Sequence, residues 1–375
     1  VELIAVLRDP LAAARGLRSV LGRAVRRAQD RSRLAIPSEH ALLRDLGGRH
    51  GTFEELLAAV AGDTRLFVTD LSRQDTLDLF ARHPGRRARI LDRADRTCAH
   101  RFDLLGSGPV DLGPRLPWHA DFVSGRTWDR RLHYLDLRSR IERGYGQGAD
   151  VKVPWELSRF QHLPALGQAS WLTGDRRYYE TFRAHVTDWI EANRPGFGVN
   201  WVCTMDVAIR AVNWIWGWTY FRSELVADRP FASTLLRSLF AHGRFIAANL
   251  ERGDDVNSNH YFADLLGMLF LGVLFRGAPE ADAWRGTAIA EIVRENGAQT
   301  LPDGADYEAS IPYHRLMTEM ALTALLLIER SGYRLPDLRA RVRGMVDYIA
   351  HYTKPDGLAP QIGDNDDGRL QVLGD

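Results

Sequence analysis

The chain has 375 residues, 45% of them hydrophobic and 26% charged, an ordinary globular composition that excludes a disordered polymer. Its 49 Lys and Arg against 48 Asp and Glu give a formal charge of +1, so no global basic field points to nucleic acid as a partner. No apolar run approaches the roughly 20 residues of a membrane span; the longest, 262–275, is interrupted by Asp264 and has the length of a core helix.

The N-terminal stretch is strongly basic, with Arg8, Arg15, Arg18, Arg23, Arg26, Arg27, Arg31 and Arg33 outnumbering Glu2, Asp9 and Asp30. It reads as a helix with a solvated face, with contact to a partner or a membrane surface as the alternative. The sequence begins at Val1 rather than Met, which leaves room for a leader outside it. Residues 1–104 read as a helical, charged region with amphipathic pieces around 53–61 and 75–81. A Gly/Pro-rich passage at 105–118 is a loop by its turn chemistry and is expected to separate that region from a main body at 105–375. Cys98 and Cys203 are too few and too far apart for a disulfide framework or a zinc site, so no metal is expected in this chain.

Beyond the loop, helix starts recur. Trp155, Thr204, Asn257 and Ser310 are separated by 49, 53 and 53 residues, and the polar cluster from Gln361 to Gly368 comes about one period later. Each interval holds two helices and two turns, such as 206–221 followed by 231–250, and a period of this size signals stacked helical hairpins. After Asn259, Phe262, Leu265, Leu266, Leu269, Phe270, Val273 and Leu274 fall at helical spacing; after Tyr313, Leu316, Met317, Met320, Ala321, Ala324, Leu325 and Ile328 do the same. Tyr313 begins that stripe and so faces inward. Asn257 or Ser258 caps the first of these helices, and Ser310 with Pro312 starts the second. Strand-like alternation is scarce, and the expected fold is all-α, with the helix starts gathered at one end of a ring or arc.

The residues at those starts suit chemistry on an anionic substrate, because free N–H groups and the positive dipole end of a helix favour a carboxylate or oxyanion. Asn259 offers an amide donor, or is only a turn residue. His260 titrates in a range useful for a base or a carboxylate neutraliser, or is a satisfied structural histidine. Tyr313 and His314 repeat the pattern one period on. Arg210 sits on an apolar face among Val207, Ala211, Trp214 and Trp218 and therefore requires a carboxylate partner or a bound anion. Arg159, near the Trp155 start, is similar. Trp201 is either a sugar-stacking platform or a packed aromatic. Asp303, Asp306 and Glu308 precede Tyr313, and Asp364, Asp366 and Asp367 lie near the end, where the run to Gly368 departs from a calcium loop in its glycine position and lacks the closing glutamate.

Together these residues resemble the heparinase II/III type of polysaccharide lyase. The matching pieces are Asn259-His260; Asp303-Gly304 with Tyr307-Glu308 and Ser310 to His314; Asn200-Trp201 with Ala208 to Arg210; and Ile362 to Asp364. The similarity spans about 115–370. It implies an incomplete (α/α) toroid followed by an antiparallel β-sandwich, and β-elimination at a uronic acid of an acidic polysaccharide. Asn259 would then engage the substrate carboxylate, with Tyr313 as acid and Tyr313 or His260 as base according to the C5 stereochemistry. His314, Arg210, Arg159, Trp201, Glu308 and Asp364 would line the substrate. No redox or nucleotide cofactor is implied, although the expected C-terminal module leaves room for a metal, and relatives are usually exported or linked to the cell envelope. The sequence stops at Asp375 without a sandwich, which is expected to follow in the whole protein. Two rival readings are a glycoside hydrolase using Glu308 with Asp303 or Asp364, and a non-catalytic glycan-binding or assembly protein.

Overall fold

The computed structural model describes residues 22, 25–27, 29–30, 32–66, 72–253, 255–365 and 368–373. Arg8, Arg15, Arg18, Arg23, Arg31, Glu2, Asp9, Asp366 and Asp367 lie outside them. Of the described arginines of the basic stretch, Arg33 is exposed, whereas Arg26 bonds Asp30 and the Ala248 carbonyl and Arg27 bonds Asp136 at 2.8 Å.

The first helices are α1 (Glu39–Asp45), α2 (Phe53–Gly62), α3 (Arg73–Arg82) and α4 (Pro84–Cys98). Local chemistry starts three of them, since Ser38, Thr52 and Ser72 each accept a backbone N–H from the first turn. Two short hairpins follow. Strands β1 (Arg101–Phe102) and β2 (Val110–Asp111) pair antiparallel and close the Gly/Pro-rich loop, and β3 (Ala120–Asp121) pairs with β4 (Arg126–Thr127). That loop does not detach the N-terminal helices. α1 packs on the later helix 229–248, α3 and α4 pack on the helix 163–173, and Leu42, Phe53 and Leu56 belong to one continuous core with the rest.

After α5 (Tyr134–Glu142) and α6 (Lys152–Ser158), the chain forms four helical hairpins: α7 (Leu163–Thr173) with α8 (Arg177–Ala192), α9 (Thr204–Tyr220) with α11 (Arg229–Ala248), α12 (Asn259–Leu274) with α13 (Pro279–Gln299), and α14 (Ile311–Arg330) with α15 (Pro336–Tyr352). The short α10 (Arg222–Ala227) lies in the second connection. First helices pack on first helices in the order α7, α9, α12, α14, and second helices follow outside as α8, α11, α13, α15. The sequence explains which layer is inner. All of α9 is buried, and in α12 only His260 is partly exposed, whereas α13 and α15 bury a narrow stripe of their surface.

The period read from sequence holds at three starts and shifts at the first. Thr204 opens α9, Ser258 caps α12 and Ser310 caps α14 through the Tyr313 amide. Trp155 instead lies inside α6, and Phe160, at φ 57°, breaks the chain before α7 begins at Leu163. No fifth helix begins at Gln361 among the described residues. The segment there runs back over the inner layer: the Glu319 carboxylate accepts the Leu370 and Gln371 amides, Asn213 donates to the Leu370 carbonyl, and Gln168 to that of Leu373.

Close approach of inner helices depends on glycine. A Cβ on Gly267 of α12 would sit 2.7 Å from Ala208 Cβ and 2.9 Å from its Cα in α9. Gly267→Ala is therefore expected to destabilise by about 1–3 kcal/mol, while Gly286→Ala on outer α13, where a Cβ meets nothing within 4 Å, should be neutral or gain about 0.5–1 kcal/mol. Urea unfolding with unchanged m-values checks both; equal behaviour of the two variants would refute the packing argument.

Candidate active site

The starts of the inner helices lie together at one end of the arc, and carboxylates link them. Asp206, in the first turn of α9, pairs with Arg159 at the end of α6 at 2.5 Å. Glu251, from the connection after α11, accepts the Met205 amide at 2.9 Å and so caps α9. Glu308, from the connection after α13, accepts the Asn259 amide at 2.9 Å and so caps α12. Anions suit these positions because the first-turn N–H groups have no helical partner.

Glu308 also fixes the Asn259 side chain, whose Nδ2 lies 3.0 and 3.1 Å from the two carboxylate oxygens. A carboxylate only accepts hydrogen bonds, so the amide nitrogen and not its oxygen must face Glu308. The same loop leads into Ser310 and Tyr313, and α12 packs on α14, so the Asn259 and Tyr313 helix starts are neighbours. Tyr313 is half-buried rather than turned fully inward.

His314 is buried behind this loop. Its Nδ1 accepts the Asp306 amide at 3.1 Å and its Nε2 faces the Met345 carbonyl at 3.1 Å. Both nitrogens hold backbone, so the expected substrate contact is corrected to a positioning role. Burial lowers its pKa and keeps it neutral. The Asp364 side chain is exposed, but its backbone is tied to the α14 start: Ser310 donates to the Asp364 carbonyl at 2.6 Å and Ile311 to that of Ile362 at 3.0 Å. Gly363 permits that approach, with φ 76° and a Cβ site 2.7 Å from Ser310 Cα.

His260 faces the other way along the α12 start. Its Nδ1 lies 3.2 Å from Glu251 Oε2 and 3.7 Å from Cys203 Sγ, while 45% of the side chain stays exposed. Burial disfavours its charge, yet the Glu251 hydrogen bond and charge, with Asp206 behind, raise its pKa above the usual histidine value. Glu251 is lowered reciprocally, against the cost of burial. Sequence reasoning missed Glu251 and Cys203 here; no local motif marks residues that meet across 9 and 57 positions of chain.

Three other expected contacts are corrected. Arg210 has 0% exposure, lies 4.1 and 5.3 Å from the ring centroids of Trp189 and Trp201, and bonds His242 Nε2 and the Ser158 and Asn200 carbonyls. Neither a carboxylate nor an open anion site holds it, and burial lowers its pKa to about 9. Trp201 is the packed aromatic, fully buried against Arg210, His242 and Phe245. Arg159 is buried between Asp206 and Glu156. Accessible positive charge lies instead in a cavity of about 410 Å³ bordered by Arg93, Arg96, Arg101 and Arg369, one wall of which is Glu156.

Asp306 carries a testable consequence. Burial and the neighbouring Glu308 charge raise its carboxyl to about 7, against only weak contacts from the Tyr307 and Glu308 backbone. Between an ordinary carboxylate pKa near 4 and about 7 the folded state holds a proton that the unfolded chain has lost, so stability falls as pH rises through that window. Asp306→Asn, which cannot ionise, should be more stable than the parent above pH 7 by on the order of 2–4 kcal/mol, with the advantage vanishing toward pH 4. Denaturant titrations at pH 4.5 and 8 read the difference; an advantage independent of pH would show that ionisation is not the cause.

Comparison with known proteins agrees with this architecture. Residues 118–373 match the model of the heparinase II/III N-terminus. The chain is 24% identical over 282 residues to a heparin-sulfate lyase of Pedobacter heparinus, covering 72% of this chain and 38% of that protein. A heparin-sulfate lyase of Bacteroides stercoris is 23% identical over 244 residues, covering 60% and 36%. Among solved structures, a heparinase III aligns with TM-score 0.61 at 17% identity over 85% of this chain and 45% of that one. A heparan sulfate lyase from Pedobacter heparinus aligns with TM-score 0.55 at 20% identity over 82% and 45%. The chain thus spans less than half the length of the relatives it matches. With the family model covering well over half of its residues, and with an arc of α/α hairpins to match, the chain belongs to the heparinase II/III family.

Proposed function

We propose that this chain is the helical catalytic part of a lyase that cleaves a uronic-acid-containing polysaccharide by β-elimination. The observation that carries the reading is Asn259 locked by Glu308 at the start of α12, next to the helix start that bears Tyr313. Elimination must neutralise the uronate carboxylate, remove the weakly acidic C5 proton beside it and protonate the departing glycosidic oxygen. Asn259 supplies a neutral donor of fixed orientation for the carboxylate, Tyr313 a phenol for the proton transfers, and the partly exposed His260 a second donor. Donors held rigid before the reaction contribute most where charge develops.

A sulfated glycosaminoglycan is the favoured substrate class, supported by the names of the relatives, both heparin-sulfate lyases. The arginines bordering the 410 Å³ cavity suit a polyanion. A further module in cis, the expected β-sandwich, would complete the cleft. A hydrolase built on Glu308 is disfavoured because both its oxygens are committed to Asn259.

The test is ultraviolet-monitored turnover of a panel of uronic-acid polysaccharides by the full-length protein. One substrate should yield the conjugated C4–C5 double bond, and Tyr313→Phe and Asn259→Ala, still folded, should each lower kcat by at least about 100-fold. New reducing ends without ultraviolet absorbance would transfer the reading to a hydrolase. Binding with no product would transfer it to a glycan-binding protein.

A further inference from the structure

Cys203, Glu251 and His260 come from three separate segments, the N-cap of α9, the connection after α11 and the first turn of α12. Their potential ligand atoms all lie within 4.8 Å of one another. The three separations are 3.6 Å from Cys203 Sγ to Glu251 Oε2, 3.7 Å from Sγ to His260 Nδ1, and 3.2 Å from Nδ1 to Oε2. A tetrahedral zinc ion with a metal–sulfur bond of about 2.3 Å and nitrogen and oxygen bonds of about 2.0–2.1 Å sets its ligands about 3.3–3.6 Å apart. The triangle already present has nearly those edges. We infer that Cys203, Glu251 and His260 form a binding site for a zinc-class divalent metal ion.

Donor chemistry selects the class. A thiolate and an imidazole with one carboxylate suit zinc or cobalt, whereas calcium and magnesium require a shell of oxygens. A second observation is a pair of buried acids behind the triangle, Asp206 in its ion pair with Arg159 and Asp264 held protonated by burial and the neighbouring Glu251 charge. Asp206 and Asp264 are both fully buried, and each leaves one carboxylate oxygen without a hydrogen-bond partner. Asp206 acts electrostatically on both Cys203 and His260, and Asp264 Oδ2 accepts the amide of Glu251 itself at 2.7 Å. The nearby cations are Arg159, already shared between Asp206 and Glu156, Arg138, which acts on Glu251 and Asp264, and the buried Arg210, which feels Asp206 and Cys203 but bonds no carboxylate. The buried Asp206 oxygen that no hydrogen bond reaches favours a bound cation nearby.

Binding converts the Cys203 thiol to a thiolate and releases its proton to solvent. Three protein ligands leave one tetrahedral position for water or another anion, the form of an open rather than a closed zinc site. With Nδ1 on the metal, the partly exposed His260 ring keeps its Nε2 proton and can only donate. His260 would then neutralise charge in the cleft instead of acting as a base.

The experiment needs no turnover, so it stands or falls independently of the lyase reading. Full-length protein stripped with a chelator is titrated with zinc in the presence of a competing chromophoric chelator, and separately with cobalt(II). One equivalent should bind, and the cobalt form should show intense tetrahedral d–d bands with a sulfur-to-cobalt charge-transfer band. Cys203→Ser should remove that band and weaken zinc binding by more than about 100-fold, beyond what loss of a mere supporting partner costs; Cys98→Ser should change neither. Absence of stoichiometric binding in the parent overturns the site, as does a weak octahedral spectrum or a charge-transfer band that survives Cys203→Ser. The parent spectrum decides even where a variant fails to fold.

Discussion

Every inner helix begins with backbone N–H groups that have no helical acceptor, and two of the four begin with a carboxylate that arrives from far along the chain. Met205 at the start of α9 donates to Glu251, and Asn259 at the start of α12 donates to Glu308, across 46 and 49 residues. Each of these acids belongs to the connection leading into the next inner helix. A helix start is therefore complete only once the following hairpin has docked. This couples neighbouring hairpins through polar contacts at one end of the arc, in addition to the apolar contacts along their lengths.

The same device builds the site. An acid that caps a helix has its position fixed by the helix axis, and a side chain bound to that acid inherits the position. Asn259 shares Glu308 with its own backbone amide, so its side-chain amide cannot rotate without breaking the cap. His260 shares Glu251 with the Met205 amide in the same way. The cost is a concentration of negative charge at this end of the arc. Arg159 offsets part of it at Asp206, and the cavity bordered by Arg93, Arg96, Arg101 and Arg369 presents positive charge beside it.

What the sequence reveals follows from the range of each interaction. The starts at Thr204, Ser258 and Ser310 are legible because an apolar stripe begins there, and at two of them a capping hydroxyl lies within three residues of the amide it accepts. The start near Trp155 is displaced because Phe160 takes a left-handed conformation, which a phenylalanine does not advertise. Asn259 and Tyr313 stand out as polar groups opening apolar helices. Glu251 and Cys203 do not, since their contacts with His260 exist only after three segments meet. Arg210 illustrates a different limit. Its position on an apolar face correctly implies burial, but charge-based reasoning expects an anion, and the partners are two indole faces, a neutral histidine and two carbonyls.

His314 shows why a histidine beside a candidate catalytic tyrosine need not touch substrate. Its Nδ1 accepts a hydrogen bond from the Asp306 amide, so in the neutral ring the hydrogen must sit on Nε2, which donates to the Met345 carbonyl. Protonating Nδ1 would set two donors against each other and release the loop at Asp306. Burial, which lowers the histidine's pKa, disfavours that protonation. Two residues further on, that loop supplies Glu308, and Glu308 orients Asn259. The orientation of the Asn259 amide thus depends on a loop that is held by a buried ring in one tautomer.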